Sequence, residues 1–303
     1  METNRPESLI NEYLYGRPFH PATPLSWLAP FWSFLCGAAA SAAWAWTGSH
    51  LLRLLLGLLL VGPLLGLAWA ASARTRWQDE AMDDPADPTA QPSLVALPYT
   101  LPGSASHRLA EKWLMARGWW QQVEPRLGKP LVQLVGSTIF ALTVAAQLGR
   151  QSLALGLLVL TVAYASGLAR TRWASNRIVS VSFPLLTAWL LGHAAYDALD
   201  PASAFAGACF ALVFYGAAVL KDSSEPLAVG LAWQVLPWAA ATVTLMAIKQ
   251  PLIAATVALL GTSQLLLVPL LEREGGHALY FRALQLQLAI SMFLAASALG
   301  YAP

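Results

Sequence analysis

Charged side chains divide the chain into nine apolar runs: residues 18–52, 54–73, 130–149, 151–169, 178–196, 201–220, 226–248, 250–271 and 283–303. An α-helix rises about 1.5 Å per residue, so roughly 20 apolar residues cross a hydrocarbon core about 30 Å thick. Within lipid every backbone N–H and C=O must be bonded inside the protein, which leaves helices and closed barrels as the spanning structures. No run alternates polar and apolar residues at period two, as barrel strands do. The pattern therefore predicts an all-α, polytopic membrane protein with nine transmembrane helices.

The polar segments between the runs alternate in length. Connections around Ser49, Arg150, Leu199 and Gln250 are short, whereas 74–129 is long, acidic and proline-bearing at its start, and proline-rich as far as Pro102. Within 105–124, Leu109, Trp113, Ala116, Trp120 and Val123 recur at helical spacing opposite Arg108, Glu111, Lys112 and Arg117. That spacing predicts an amphipathic helix in the membrane interface, capped by Ser104 or Ser106, with Trp113, Trp119 and Trp120 at headgroup depth or roofing a cavity. The chain thus reads as one transmembrane domain, 1–303, carrying a large polar loop at 74–129 and a short acidic segment at 221–226.

Composition agrees: 57% apolar and 11% charged residues, with a mean hydropathy of +0.53, against about 25% charged in a soluble domain. The net charge of +2 matters less than its placement. With nine spans and a cytoplasmic N-terminus, only Arg53, Arg150 and Lys249 of the 18 Lys and Arg face outward. The positive-inside rule therefore predicts that orientation in the inner (cytoplasmic) membrane, with any site built from the long polar segments opening to the cytoplasm. The first 17 residues lack a signal-peptide pattern, so the first helix is expected to stay inserted. Cys36 and Cys209 lie inside runs without metal-ligand or redox spacing and are expected to be small buried residues. Charges fall only at run ends, which argues against an ion-translocating transporter. Membrane lipids are expected partners; nucleic acid is not.

Candidate chemistry gathers on the expected cytoplasmic side. The pentapeptide Ala-Arg-Thr-Arg-Trp occurs twice, at 73–77 and 169–173. Arginines at a helix C-terminus complement the macrodipole, and guanidinium groups also grip phosphate oxygens in pairs. Asp79 and Asp83 stand four apart after the second run, and Asp222 and Glu225 three apart after the sixth. Each pair shares a face wherever helix persists. Magnesium is commonly held by one or two carboxylates plus substrate phosphates, so such pairs at a pocket mouth suit a metal-bridged diphosphate. Taken singly, each such cluster is more often a solvated cytoplasmic loop, because charges belong outside the bilayer.

On these residues the chain resembles the UbiA superfamily of intramembrane prenyltransferases, whose members have nine helices, a central lipid-facing cavity and two Asp-rich motifs. The first motif, Asn-Asp-x-x-Asp-x-x-x-Asp, falls on Thr75 to Met82 and Asp83; the second, Lys-Asp-x-x-Asp-x-x-Gly-Asp, falls on Lys221 to Val229. Residues 26–41 and Tyr164-Ala-Ser166, followed by Arg170 and Arg172, are similar to the chlorophyll and bacteriochlorophyll synthase branch. The resemblance implies Mg2+ held by Asp79, Asp83, Asp222 and Glu225, with Asp79, Asp83 and Asp222 as catalytic acids. It implies diphosphate bound by Lys221, Arg170, Arg172, Arg76 and Tyr164, and a prenyl path lined by Trp27, Phe31 and Trp32. It further implies transfer from an isoprenoid diphosphate to a hydrophobic acceptor, a tetrapyrrole carboxylate for that branch.

The chain departs from the pattern at Thr75 and Arg76, where the family has Asn and Asp, at Glu225, and at Val229 in place of the last Asp. A guanidinium at Arg76 either contacts the diphosphate in place of one Mg2+, turns to solvent beside a reduced metal site, or marks a site that no longer turns over. Terpene cyclisation and silent binding of a lipid or pigment therefore stand beside transfer. His193 is expected to be a packed or interfacial histidine, and Glu272-Arg-Glu274 a solvated turn with a possible gating role.

Overall fold

Apolar side chains on every face, joined by few turn residues, leave the backbone to bond itself, and the observed chain is helical accordingly. A computed structural model describes residues 29–43, 45, 47–66, 68, 132, 134–168, 181–221, 226–273 and 276–301. These residues contain no strand and form nine apolar helices. They are α1 (Ala29–Ala40), α2 (Gly48–Leu59), α3 (Leu134–Leu148), α4 (Arg150–Leu168), α5 (Phe183–Ala194), α6 (Pro201–Lys221), α7 (Leu227–Ala247), α8 (Pro251–Leu266) and α9 (Gly276–Gly300). With α8 extended by a 3-10 turn to Leu271, the last four are long and apolar enough to cross a bilayer.

Two boundaries differ from the charge pattern. The charge pattern divides the first two runs at Arg53 and places their connection around Ser49; the chain turns just ahead of that, with Ala42 in the left-handed region and Thr47 capping α2 by accepting from the His50 N–H. Arg53 instead lies inside α2, because its guanidinium reaches the carbonyl of Ala195 at 3.3 Å and is satisfied without ending the helix. Similarly, α9 begins at Gly276 rather than at 283 and takes Arg282 into its second turn. Charge marks where a helix leaves lipid, not where its hydrogen bonds stop. Downstream in α2, Pro63 lacks the N–H that the helix needs, and the chain widens into a π-helical turn over Leu60–Leu64.

The short connections meet at one end of the bundle. The Tyr196 hydroxyl after α5 donates to the carbonyl of His50 in α2 (3.0 Å), and the Leu199 N–H before α6 donates to Gln151 Oε1 in α4 (3.2 Å). A β-carbon added at Gly300, the end of α9, would strike Ala39 near the end of α1. Between α3 and α4 the turn is Gly149 alone, at φ 124°, a conformation that favours glycine. Helices α2 and α6, which precede the two acidic segments, both run away from this end.

Helices α1 and α5 form a wall shared by two cores. Cys36, Ala40 and Trp189 pack with α6 to α9, while Phe34, Ala38, Ala188 and Leu191 pack with α2, α3 and α4. The wall is tight because each helix offers a glycine to the other's backbone. A β-carbon at Gly37 would strike the Trp189 carbonyl, and one at Gly192 would strike that of Phe34. Lipid supplies no hydrophobic drive between helices, so close backbone approach at small residues is what holds them. Ser33 Oγ adds a bond from α1 to the Leu185 carbonyl of α5, 2.8 Å long. Cys36 and Cys209 are free and buried in the larger core, as the sequence suggests.

Candidate functional site

Eight of the residues singled out by sequence lie outside the described residues: Trp27, Arg76, Asp79, Asp83, Arg170, Arg172, Asp222 and Glu225. So do both Ala-Arg-Thr-Arg-Trp copies and the amphipathic segment 105–124. Among the described residues no three His, Cys, Asp or Glu side chains come together.

Four candidates are placed. Lys221 is the exposed last residue of α6, where a cation complements the helix dipole. Tyr164 of α4 is half-buried, and its hydroxyl is hydrogen-bonded to Thr138 Oγ1 of α3. Thr138 spends its own proton on the Leu134 carbonyl (2.6 Å), so Tyr164 is the donor in that pair. A diphosphate that accepts from this hydroxyl must therefore displace Thr138. Phe31 and Trp32, neighbours on α1, point to different helices. The Phe31 ring fills the space beside Gly62 in the π-helical turn. Trp32 donates from Nε1 to the Ala289 carbonyl of α9 (3.1 Å), its ring centroid 6.1 Å from that of Phe293. Two adjacent residues sit about 100° apart on a helix, so the pair brackets α1 rather than lining one face.

Two polar assemblies lie inside the apolar helices, one around His193 and one around residues that carry no charge. At the end with the short connections, Trp189 Nε1 donates to Ser203 Oγ (3.1 Å), which bonds His193 Nδ1 (3.0 Å). His193 Nε2 lies 3.0 Å from the Ala198 carbonyl. A carbonyl only accepts, so the proton is on Nε2 and Ser203 donates to Nδ1. Asp200 Oδ2 accepts from the Ser203 N–H at 2.9 Å. His193 is thus packed, as expected, but as the centre of a closed network joining α5 to α6.

The second assembly lies between α7, α8 and α9. Tyr280 donates to Gln234 Oε1 at 3.0 Å. The Gln264 amide lies beside the same hydroxyl without a well-formed hydrogen bond to it. Gln287 Nε2 donates to Ser263 Oγ (3.0 Å), whose own proton goes to the Leu260 carbonyl (2.8 Å). Glutamines at 234, 264 and 287 within charge-free runs were the legible signal.

No protein-family model matches the chain, and no solved structure does. Among curated proteins, the bacteriochlorophyll synthase 34 kDa chain of Chloroflexus aurantiacus is 31% identical over 206 residues. The aligned part is 66% of this chain and 56% of that protein, so the chain spans little more than half the length of the relative it matches.

Proposed function

We propose that the protein is a UbiA-type prenyltransferase, a transferase of alkyl groups other than methyl. In this reading it moves an isoprenoid group from its diphosphate to a hydrophobic acceptor, a tetrapyrrole carboxylate, within the membrane. The carrying observation is the 31% identity to a bacteriochlorophyll synthase chain in a protein whose described residues are apolar helices. Nine transmembrane helices around a lipid-facing cavity, with the N-terminus and the site on the cytoplasmic side of the inner membrane, complete the reading.

Asp79, Asp83, Asp222 and Glu225 supply an all-oxygen, anionic donor set of the kind Mg2+ takes, and they follow two helices, α2 and α6, that leave the bundle in the same direction. When bound, Mg2+ would neutralise charge on the departing diphosphate. Lys221, Arg170, Arg172 and Arg76 add fixed positive charge for the same oxygens, and the apolar interior keeps water from the allylic cation until the acceptor captures it. Phe31 and Trp32 of α1, together with Trp27 ahead of it in the sequence, border the prenyl path in this reading. Terpene cyclisation uses the same ionisation with no acceptor. Thr75-Arg76 in place of the family's Asn-Asp favours one further reading, a relative that binds pigment or lipid without turnover.

The test is diphosphate release from geranylgeranyl diphosphate by the purified protein, with and without Mg2+ and with and without a chlorophyllide. The expected result is Mg2+-dependent release, a prenylated ester when the acceptor is present, and loss of both in Asp79→Ala and Asp222→Ala. A cyclised hydrocarbon or alcohol in place of the ester would assign cyclisation. No release from any donor, with activity appearing in Arg76→Asp, would assign the silent relative.

A further inference from the structure

In an apolar medium a buried polar atom without a partner costs free energy, and this protein avoids that cost almost everywhere. Thr143, Thr161, Thr187, Thr242, Thr244, Thr256 and Thr262 each donate to the carbonyl four residues earlier. Trp238 Nε1 crosses from α7 to the Val257 carbonyl of α8 at 3.0 Å. Against that habit, the unpartnered buried atoms among the described residues gather between α7, α8 and α9. They are Gln234 Nε2, both polar atoms of Gln264 and Gln287 Oε1, with Ser152, Ser182 and Ser291 the unpartnered serines. Gln234 and Gln264 are each only 3% exposed.

We propose that Gln234, Gln264 and Tyr280 form a receptor for one uncharged oxygen acceptor, the carbonyl of a membrane-soluble ketone or ester. The chemistry follows from proton counting. Tyr280 gives its proton to Gln234 Oε1, so the unpartnered part of Gln234 is its Nε2 donor, and the Gln264 amide makes no well-formed hydrogen bond. Two carboxamides beside one phenol supply N–H donors enough for the two lone pairs of a carbonyl oxygen. The ligand is uncharged because α7 and α8 carry no charged residue, and Arg282 lies two residues, or about 200° of helix rotation, from Tyr280. It is membrane-soluble because Gln234 lies seven residues into α7, about 10 Å along the axis, among lipid-facing neighbours such as Leu236. The proposal stands apart from the transfer reaction, and its test contains no diphosphate, so either fails without the other.

The full chain, purified in dodecyl maltoside, a detergent without carbonyl groups, is titrated with heptadecan-9-one labelled at its carbonyl carbon. Infrared spectra should show a carbonyl band at lower wavenumber than in empty micelles, saturating at one ketone per chain. Gln264→Leu should weaken that binding roughly five- to tenfold, the worth of one net hydrogen bond. Heptadecane serves as the control on the unaltered protein: the ketone should raise the Tm and the hydrocarbon should not. An unshifted band, equal effects of ketone and hydrocarbon, or undiminished binding in Gln264→Leu would overturn the proposal. Displacement by ester-linked but not ether-linked phosphatidylcholine would make a lipid ester the occupant; no displacement by either would make it a lipophilic solute.

Discussion

The His193 network and the Gln234 cluster are both polar assemblies held between helices, yet one is closed and the other open. Around His193 every donor meets an acceptor: the indole of Trp189, the hydroxyl of Ser203, the Nε2 proton and the Asp200 carboxylate each have a place. Around Gln234 the bonds run out after Tyr280, and amide groups remain in an apolar setting. A closed network stiffens a join, here the α5–α6 hairpin. An open one keeps hydrogen-bonding capacity in reserve, and that reserve is the mark of a site rather than a staple.

The largest effect should come from the wall that carries the closed network and faces the open cluster through α9. Gly192→Ala places a methyl group against the Phe34 carbonyl and should destabilise the fold by about 3 kcal/mol, read as a lowered Tm in detergent. Next, Ser203→Ala strips Trp189 and His193 of partners at once and should cost about 1–2 kcal/mol in the same assay. Gln234→Leu orphans only the Tyr280 hydroxyl, and about 0.6 kcal/mol is the scale for one such bond in a membrane. Gln264→Leu removes an amide that has no partner and should leave stability unchanged or raise it by about 0.5 kcal/mol. The order is the point: a Gln264→Leu loss as large as that of Ser203→Ala would mean that both regions are structural and that the contrast is empty.

Much of the architecture was legible because charge is expensive in lipid. Each charge-free run carries one of the nine apolar helices, and the short connections at Ser49, Arg150 and Leu199 do meet at one end. The two misplaced boundaries share a cause. Arg53 and Arg282 sit inside helices because a long side chain reaches polar surroundings from within a helix, while the reading treated every charge as a break. Of the candidate site, Lys221, Tyr164, Phe31 and Trp32 could be followed to their positions. Phe31 and Trp32, paired by adjacency, diverge because neighbouring residues never share a helix face. The glutamines stand in the sequence but do not announce a site, for a different reason: an amide carries no charge and does not interrupt an apolar run, so the packing of three helices is what reveals that its groups are in excess.

The glycine contact between α1 and α5 also sets an order of assembly. Its members lie far apart in sequence, as the Ser33–Leu185 bond across 152 residues illustrates. Helices that insert one after another can dock only once their partner has arrived. Helix α1 must therefore linger in lipid with its Gly37 surface bare until α5 is threaded in, and only then can the two cores close on their shared wall.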